Sequence, residues 1–62
     1  MKFLEITHYI NNDKETDIIH INPIHILYLI KYENGTNLLL TNGNTIKSDI
    51  DFNKVNDLIY SL

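Results

Sequence analysis

Asn34-Gly35-Thr36-Asn37-Leu38-Leu39-Leu40-Thr41-Asn42-Gly43 sets a short apolar run between two Asn-Gly pairs, and its reading as one strand between two turns decides the fold. Asn-Gly is the strongest short-range mark of a two-residue type I′ hairpin. Such a turn needs positive φ at both central residues, which Gly adopts freely and Asn tolerates. Working outward, Ile24 to Tyr32, Thr36 to Thr41 and Asn44 to Ser48 are expected to form a three-stranded antiparallel meander.

If both pairs are two-residue loops, the register follows. Glu33 then faces Thr36, Ile30 faces Leu39 and Leu29 faces Leu40, while Leu39 faces Ile46 and Leu40 faces Thr45. Alternation places Ile26, Tyr28, Ile30, Leu39 and Ile46 on one face and Leu27, Leu29, Leu38 and Leu40 on the other, provided no bulge intervenes. Both faces are apolar. A single short helix covers one of them, and the other is left to an N-terminal hairpin or to another molecule.

Phe3 to Ile10 and Ile18 to Ile21 read as two paired strands, with the wholly polar Asn11 to Asp17 as an exposed loop between them. Asn22-Pro23 is the expected corner into the meander, since Pro cannot donate to a ladder and biases its predecessor toward extended geometry. Beyond Ser48 the period changes: Phe52, Val55, Ile59 and Leu62 recur at helical spacing, and Leu58 widens the stripe. Asp51 is suited to cap this helix, with Ile50 and Val55 as the N′ and N4 residues of a hydrophobic staple. The whole chain, 1–62, thus reads as one small α+β domain, an antiparallel sheet of about five strands with a C-terminal helix.

Composition bounds what such a domain can do. Chains of 62 residues bury only about 60% of the surface that their unfolded form exposes, so the core needs a supplement. With no Cys, disulfides and zinc-thiolate sites are excluded as that supplement, and a homo-oligomer or a protein partner is expected instead. Five Lys, no Arg and eight acidic residues give a formal charge of −3, which makes direct nucleic-acid binding unlike this chain. No apolar stretch approaches the ~20 residues of a membrane span, and Met1-Lys2-Phe3-Leu4-Glu5 lacks a signal-peptide pattern. The expectation is a cytoplasmic protein without membrane insertion. The missing Ala, Arg, Gln, Cys and Trp and the heavy use of Ile, Asn and Leu point to AT-rich coding of a bacterial or phage kind.

The three His are the residues with an obvious metal or acid–base chemistry. Were Ile10 to face Ile18, His8 would face His20, but two ligands make no metal site and Glu5 would lie on the opposite face. Neither a metal nor a cofactor is expected. Ser48-Asp49 reads as turn and helix-entry chemistry, and Glu5, Glu33 and Asp49 as solvated charges, so no catalytic residue is assigned and the chain is not read as an enzyme. Tyr32, beside a turn, and Tyr60, late in the helix, are interface candidates together with Leu27, Leu29, Leu38 and Leu40. Whether that leucine face is an interface or an internal core is left open by the pattern.

Leu40-Thr41-Asn42-Gly43-Asn44-Thr45-Ile46, followed by a helix carrying Val55 and Ile59, resembles the small flagellar proteins of the FlbD/SwrD type, and Ile21-Asn22 with Ile26 and Leu29 resembles their middle strand. The likeness covers roughly two-thirds of the chain and implies the same hairpin-then-helix fold. The same pattern is similar to part of LytTR-type DNA-binding domains and of bacterial pleckstrin-homology-like domains. The expected function is a small non-enzymatic interaction module that self-associates and binds a protein. The alternatives are a phage or regulatory inhibitor that captures a small molecule between subunits, and LytTR-like nucleic-acid binding.

Overall fold

The computed structural model describes residues 2–11 and 14–62; Met1, Asn12 and Asp13, the last two inside the segment expected as a polar loop, lie outside the described residues. Five strands precede one helix: β1 (Leu4–Ile10), β2 (Glu15–Ile21), β3 (Ile26–Tyr32), β4 (Gly35–Leu40), β5 (Thr45–Ser48) and α1 (Phe52–Tyr60). Every pairing is antiparallel. β1 and β2 form a two-stranded sheet, and β3, β4 and β5 form the meander as a separate three-stranded sheet. The expected α+β fold of five strands and a C-terminal helix is therefore the one the chain adopts.

The turns differ from the expected geometry, and each difference has a local cause. In the first hairpin, Ile10 faces Glu15, not Ile18, so Glu15, Thr16 and Asp17 belong to β2 and not to a loop. Most of β2 faces solvent, and a polar sequence suits a solvent-facing edge strand as well as it suits a loop. In the second, Tyr32 faces Gly35, so the loop is Glu33-Asn34 and Gly35 begins β4. Neither Glu33 nor Asn34 has the positive φ of a type I′ turn. This moves the β3–β4 register by two residues, which keeps side chains on their faces.

The third hairpin moves by one. Leu40 N–H donates to Asn44 C=O at 2.9 Å and Gly43 N–H to Leu40 C=O at 3.0 Å, with Gly43 at φ 89. This is a three-residue loop with Gly in the left-handed position, and it sets Ile46 opposite Leu38 where Leu39 was expected. A one-residue slip reverses a strand's faces, so Ile46 joins Leu38 on the inner side. A bulge between Ile26 and Tyr28 completes the rearrangement. It turns Ile26 inward onto the core and leaves Leu27 62% exposed.

Leu4, Ile6, Ile21, Leu38 and Val55 form the buried core, with Ile19, Ile26, Leu29, Leu40, Ile46, Ile50, Leu58 and Ile59 packed around it. The N-terminal hairpin and the helix thus converge on the same face of the meander. Asn22 is extended before Pro23, as expected, and its Oδ1 accepts from Ile24 N–H at 3.3 Å to cap a single 3-10 turn, Pro23–His25. Asp51 caps α1, accepting from Asn53 N–H at 3.0 Å. Val55 is fully buried beneath the helix, and Ile50 packs on the same cluster as the expected staple requires.

Candidate functional site

The six interface candidates separate in space. Leu38 has no exposed surface, and Leu29 and Leu40 are half-buried against the core, so the leucine face is internal. Leu27 stands outside at the bulge, Tyr32 is half-buried, and Tyr60 is 82% exposed on the helix. What the alternation did not single out is the opposite face, where Tyr28 is 50% and Ile30 47% exposed beside Leu27.

Ser48 and Thr36 carry hydroxyls at fully buried positions, and both are committed to structure. Ser48 Oγ donates to Thr7 C=O at 2.7 Å and accepts from Ile50 N–H at 3.1 Å. Thr36 Oγ1 donates to Ile50 C=O at 2.9 Å, and Thr7 Oγ1 donates to Asp49 Oδ1. The two Thr7 bonds join β1 to the end of β5 and to Asp49 at the helix entry, where the two sheets share no ladder, and the Thr36 bond ties β4 to Ile50. The Ser48 hydroxyl is thereby enclosed and doubly engaged, which accounts for it as a joint, as its reading as helix-entry chemistry requires.

The histidines do not pair as the expected register had them. His8 faces Asp17 and His20 faces Glu5, with His20 Nε2 3.0 Å from Glu5 Oε1 in an exposed contact. His25 Nδ1 lies 3.2 Å from Thr41 Oγ1. Among the described residues no group of three or more His, Cys, Asp or Glu is placed to hold a metal ion. His20 and His25 border an open depression of about 410 Å³ whose apolar floor is Ile19, Ile21, Leu40 and Ile46 and whose rim includes Asn22, Thr41 and Asn42. A second depression of about 480 Å³ continues past Leu40 and Ile46 toward His8, Tyr9 and Lys47. Together they make a groove between the N-terminal hairpin and the β4–β5 turn.

The remaining feature is the free edge of β3. Leu40 N–H bonds across to Asn44, so the even residues of β4 bond to β5 and the odd ones, Asn37 and Leu39, bond to β3. Their partners Ile30 and Tyr28 are therefore the inward-bonding residues of β3. Leu29 and Lys31 direct their N–H and C=O groups to the other side, where the sheet order places no strand among the described residues. Apolar outer-face side chains thus accompany a row of outward main-chain groups on one strand. Among the described residues, no helix is long and apolar enough to cross a membrane. The chain matches no family model, no curated protein and no solved structure.

Proposed function

We propose that this chain is a small non-enzymatic protein-interaction module that self-associates and binds a protein partner through β3 and the outer face of the meander. One observation carries the reading. The hairpin and the helix are both spent on the inner face, which leaves Leu27, Tyr28 and Ile30 exposed on an edge strand of low charge. Small sheets manage such edges with charges, Pro or a cover, and β3 holds a single charged residue, Lys31. Sedimentation over about 1 µM to 1 mM tests it, because weak assembly appears as a rising mass in that range. A strictly monomeric chain throughout the range overturns self-association.

A second reading rests on the groove, whose apolar floor and polar rim have the make-up of a small-molecule site. Native mass spectrometry of freshly purified protein reads it directly: a retained non-protein mass supports ligand capture, and bare protein in repeated preparations removes it.

A further inference from the structure

We infer that Asn42-Gly43 is a site of spontaneous chemical modification, at which the fold lets the Asn42 side-chain amide become a carboxylate on the groove rim while it holds back the same chemistry at Asn34-Gly35. The inference is independent of both functional readings above. An Asn-Gly pair is suited to this reaction because glycine puts no side chain in the path of its own nitrogen. The Gly43 main-chain nitrogen gives up its proton to solvent base and attacks Asn42 Cγ. The new C–N bond closes a cyclic imide, and the side-chain nitrogen takes up a proton and leaves as ammonia. Water then opens the ring. Cleavage at Cγ restores the ordinary chain with aspartate at position 42, and cleavage at the main-chain carbonyl leaves isoaspartate, with one extra methylene in the backbone. The balance is amide plus water to acid plus ammonia, and no other reactant enters.

The two pairs differ in room, activation and anchoring. Asn42, Gly43 and Asn44 are exposed, and a Cβ at Gly43 would meet nothing within 4 Å, so the nitrogen is free to turn toward Cγ. Gly35 is buried, and a Cβ there would stand 2.0 Å from the Ser48 carbonyl oxygen, so the same turn requires β4 to part from β5. Asn44 N–H donates to Asn42 Oδ1 at 2.9 Å, which sets a donor on the oxygen that gains negative charge as nitrogen adds to Cγ. The Gly43 nitrogen is held by a bond to Leu40 C=O at 3.0 Å, at an exposed loop tip where opening costs little, and the local Asn42–Asn44 contact does not depend on it. By contrast the Asn34 carbonyl, whose carbon would enter the imide ring, accepts from the Tyr9 hydroxyl at 3.3 Å and is tied to β1. Conversion at Asn42 adds one negative charge to the formal −3, on the rim shared with His20, His25 and Thr41. A carboxylate oxygen still accepts from Asn44 N–H, and the methylene of isoaspartate extends a loop with free space around it, so the hairpin persists.

Incubation of the purified chain at mildly alkaline pH and physiological temperature, followed by peptide mapping with fragmentation, reads each site by the mass gain of amide-to-acid conversion. In the folded protein Asn42 is expected to convert at least about tenfold faster than Asn34. In concentrated guanidinium the two should convert at similar rates, because each then has only its neighbours in the chain to set the rate. Equal rates in the folded protein, faster conversion at Asn34, or an Asn42 that stays intact while the unfolded chain reacts overturns the inference. A tenfold gap that persists in guanidinium assigns the difference to local sequence and overturns the role of the fold. Asn42→Asp tests tolerance: its circular dichroism and urea midpoint should match the parent, and loss of β signal overturns the claim that the hairpin carries the new charge.

Discussion

Gly35 and Gly43 follow Asn in the two turn pairs, yet they meet different demands. Gly35 has φ 149, and a Cβ there would sit 2.0 Å from the Ser48 carbonyl oxygen, in the backbone of β5. Gly43 has φ 89 and open space around it. Gly35→Ala must therefore displace a neighbouring strand and is expected to cost at least about 3 kcal/mol, enough to unfold much of a marginal domain. Gly43→Ala carries only the left-handed backbone penalty of about 1–2 kcal/mol. Urea denaturation of the two variants compares them, and equal losses would contradict the close approach at Gly35. Ser48 belongs to the same joint. Ser48→Ala strands the Thr7 carbonyl and the Ile50 N–H in the interior, with an expected loss of about 1–3 kcal/mol. Thermal unfolding that leaves Ser48→Ala unchanged would show that water replaces both bonds.

At the scale of elements, α1 is only nine residues long, too short to persist on propensity, so its cap and its packed face hold it. Asp51→Ala removes the acceptor for Asn53 N–H and should lower stability by about 1 kcal/mol, whereas Asp51→Asn, which keeps an acceptor oxygen, should recover most of it. Chemical denaturation of the pair measures the difference. If both variants lose the same amount, the carboxylate charge at the helix dipole is the larger effect. The β1–β2 hairpin is joined to β5 by the Thr7, Ser48 and Asp49 bonds in place of a ladder, and to the rest of the meander by the shared core and by the Tyr9 hydroxyl, which donates to Asn34 C=O at 3.3 Å.

For the molecule as a whole, the decisive variant is Leu38→Lys. Leu38 lies with Leu4, Ile6, Ile21 and Val55 where hairpin, meander and helix meet, so an ammonium there has no solvent route and no partner. Loss of β signal in circular dichroism is the expected outcome. A folded protein of reduced mass in size-exclusion chromatography would instead return this face to the role of an interface. Ile30→Lys acts on the opposite side of the same sheet and should preserve the circular dichroism spectrum while raising the dissociation constant of the proposed assembly at least about tenfold. The two substitutions therefore separate the face that holds the chain together from the face available to another.

Much of the fold was legible in local chemistry: Asn22-Pro23 marked the corner, Asp51 the helix cap, the two Asn-Gly pairs the meander, and the spacing of Val55 and Ile59 the buried helix face. These features follow from backbone preferences and periodicity that each segment carries within itself. Register did not. Whether Gly35 closes a turn or opens a strand depends on how near β5 approaches, and whether Ile26 or Leu27 turns inward depends on a bulge that accommodates the core. The candidate surface inherits that dependence. Alternation already separates Leu29, Leu38 and Leu40 from Tyr28 and Ile30, and the two-residue shift kept them apart; which side became the core was decided by where the hairpin and the helix pack, and the one-residue slip in β5 then brought Ile46 to that side.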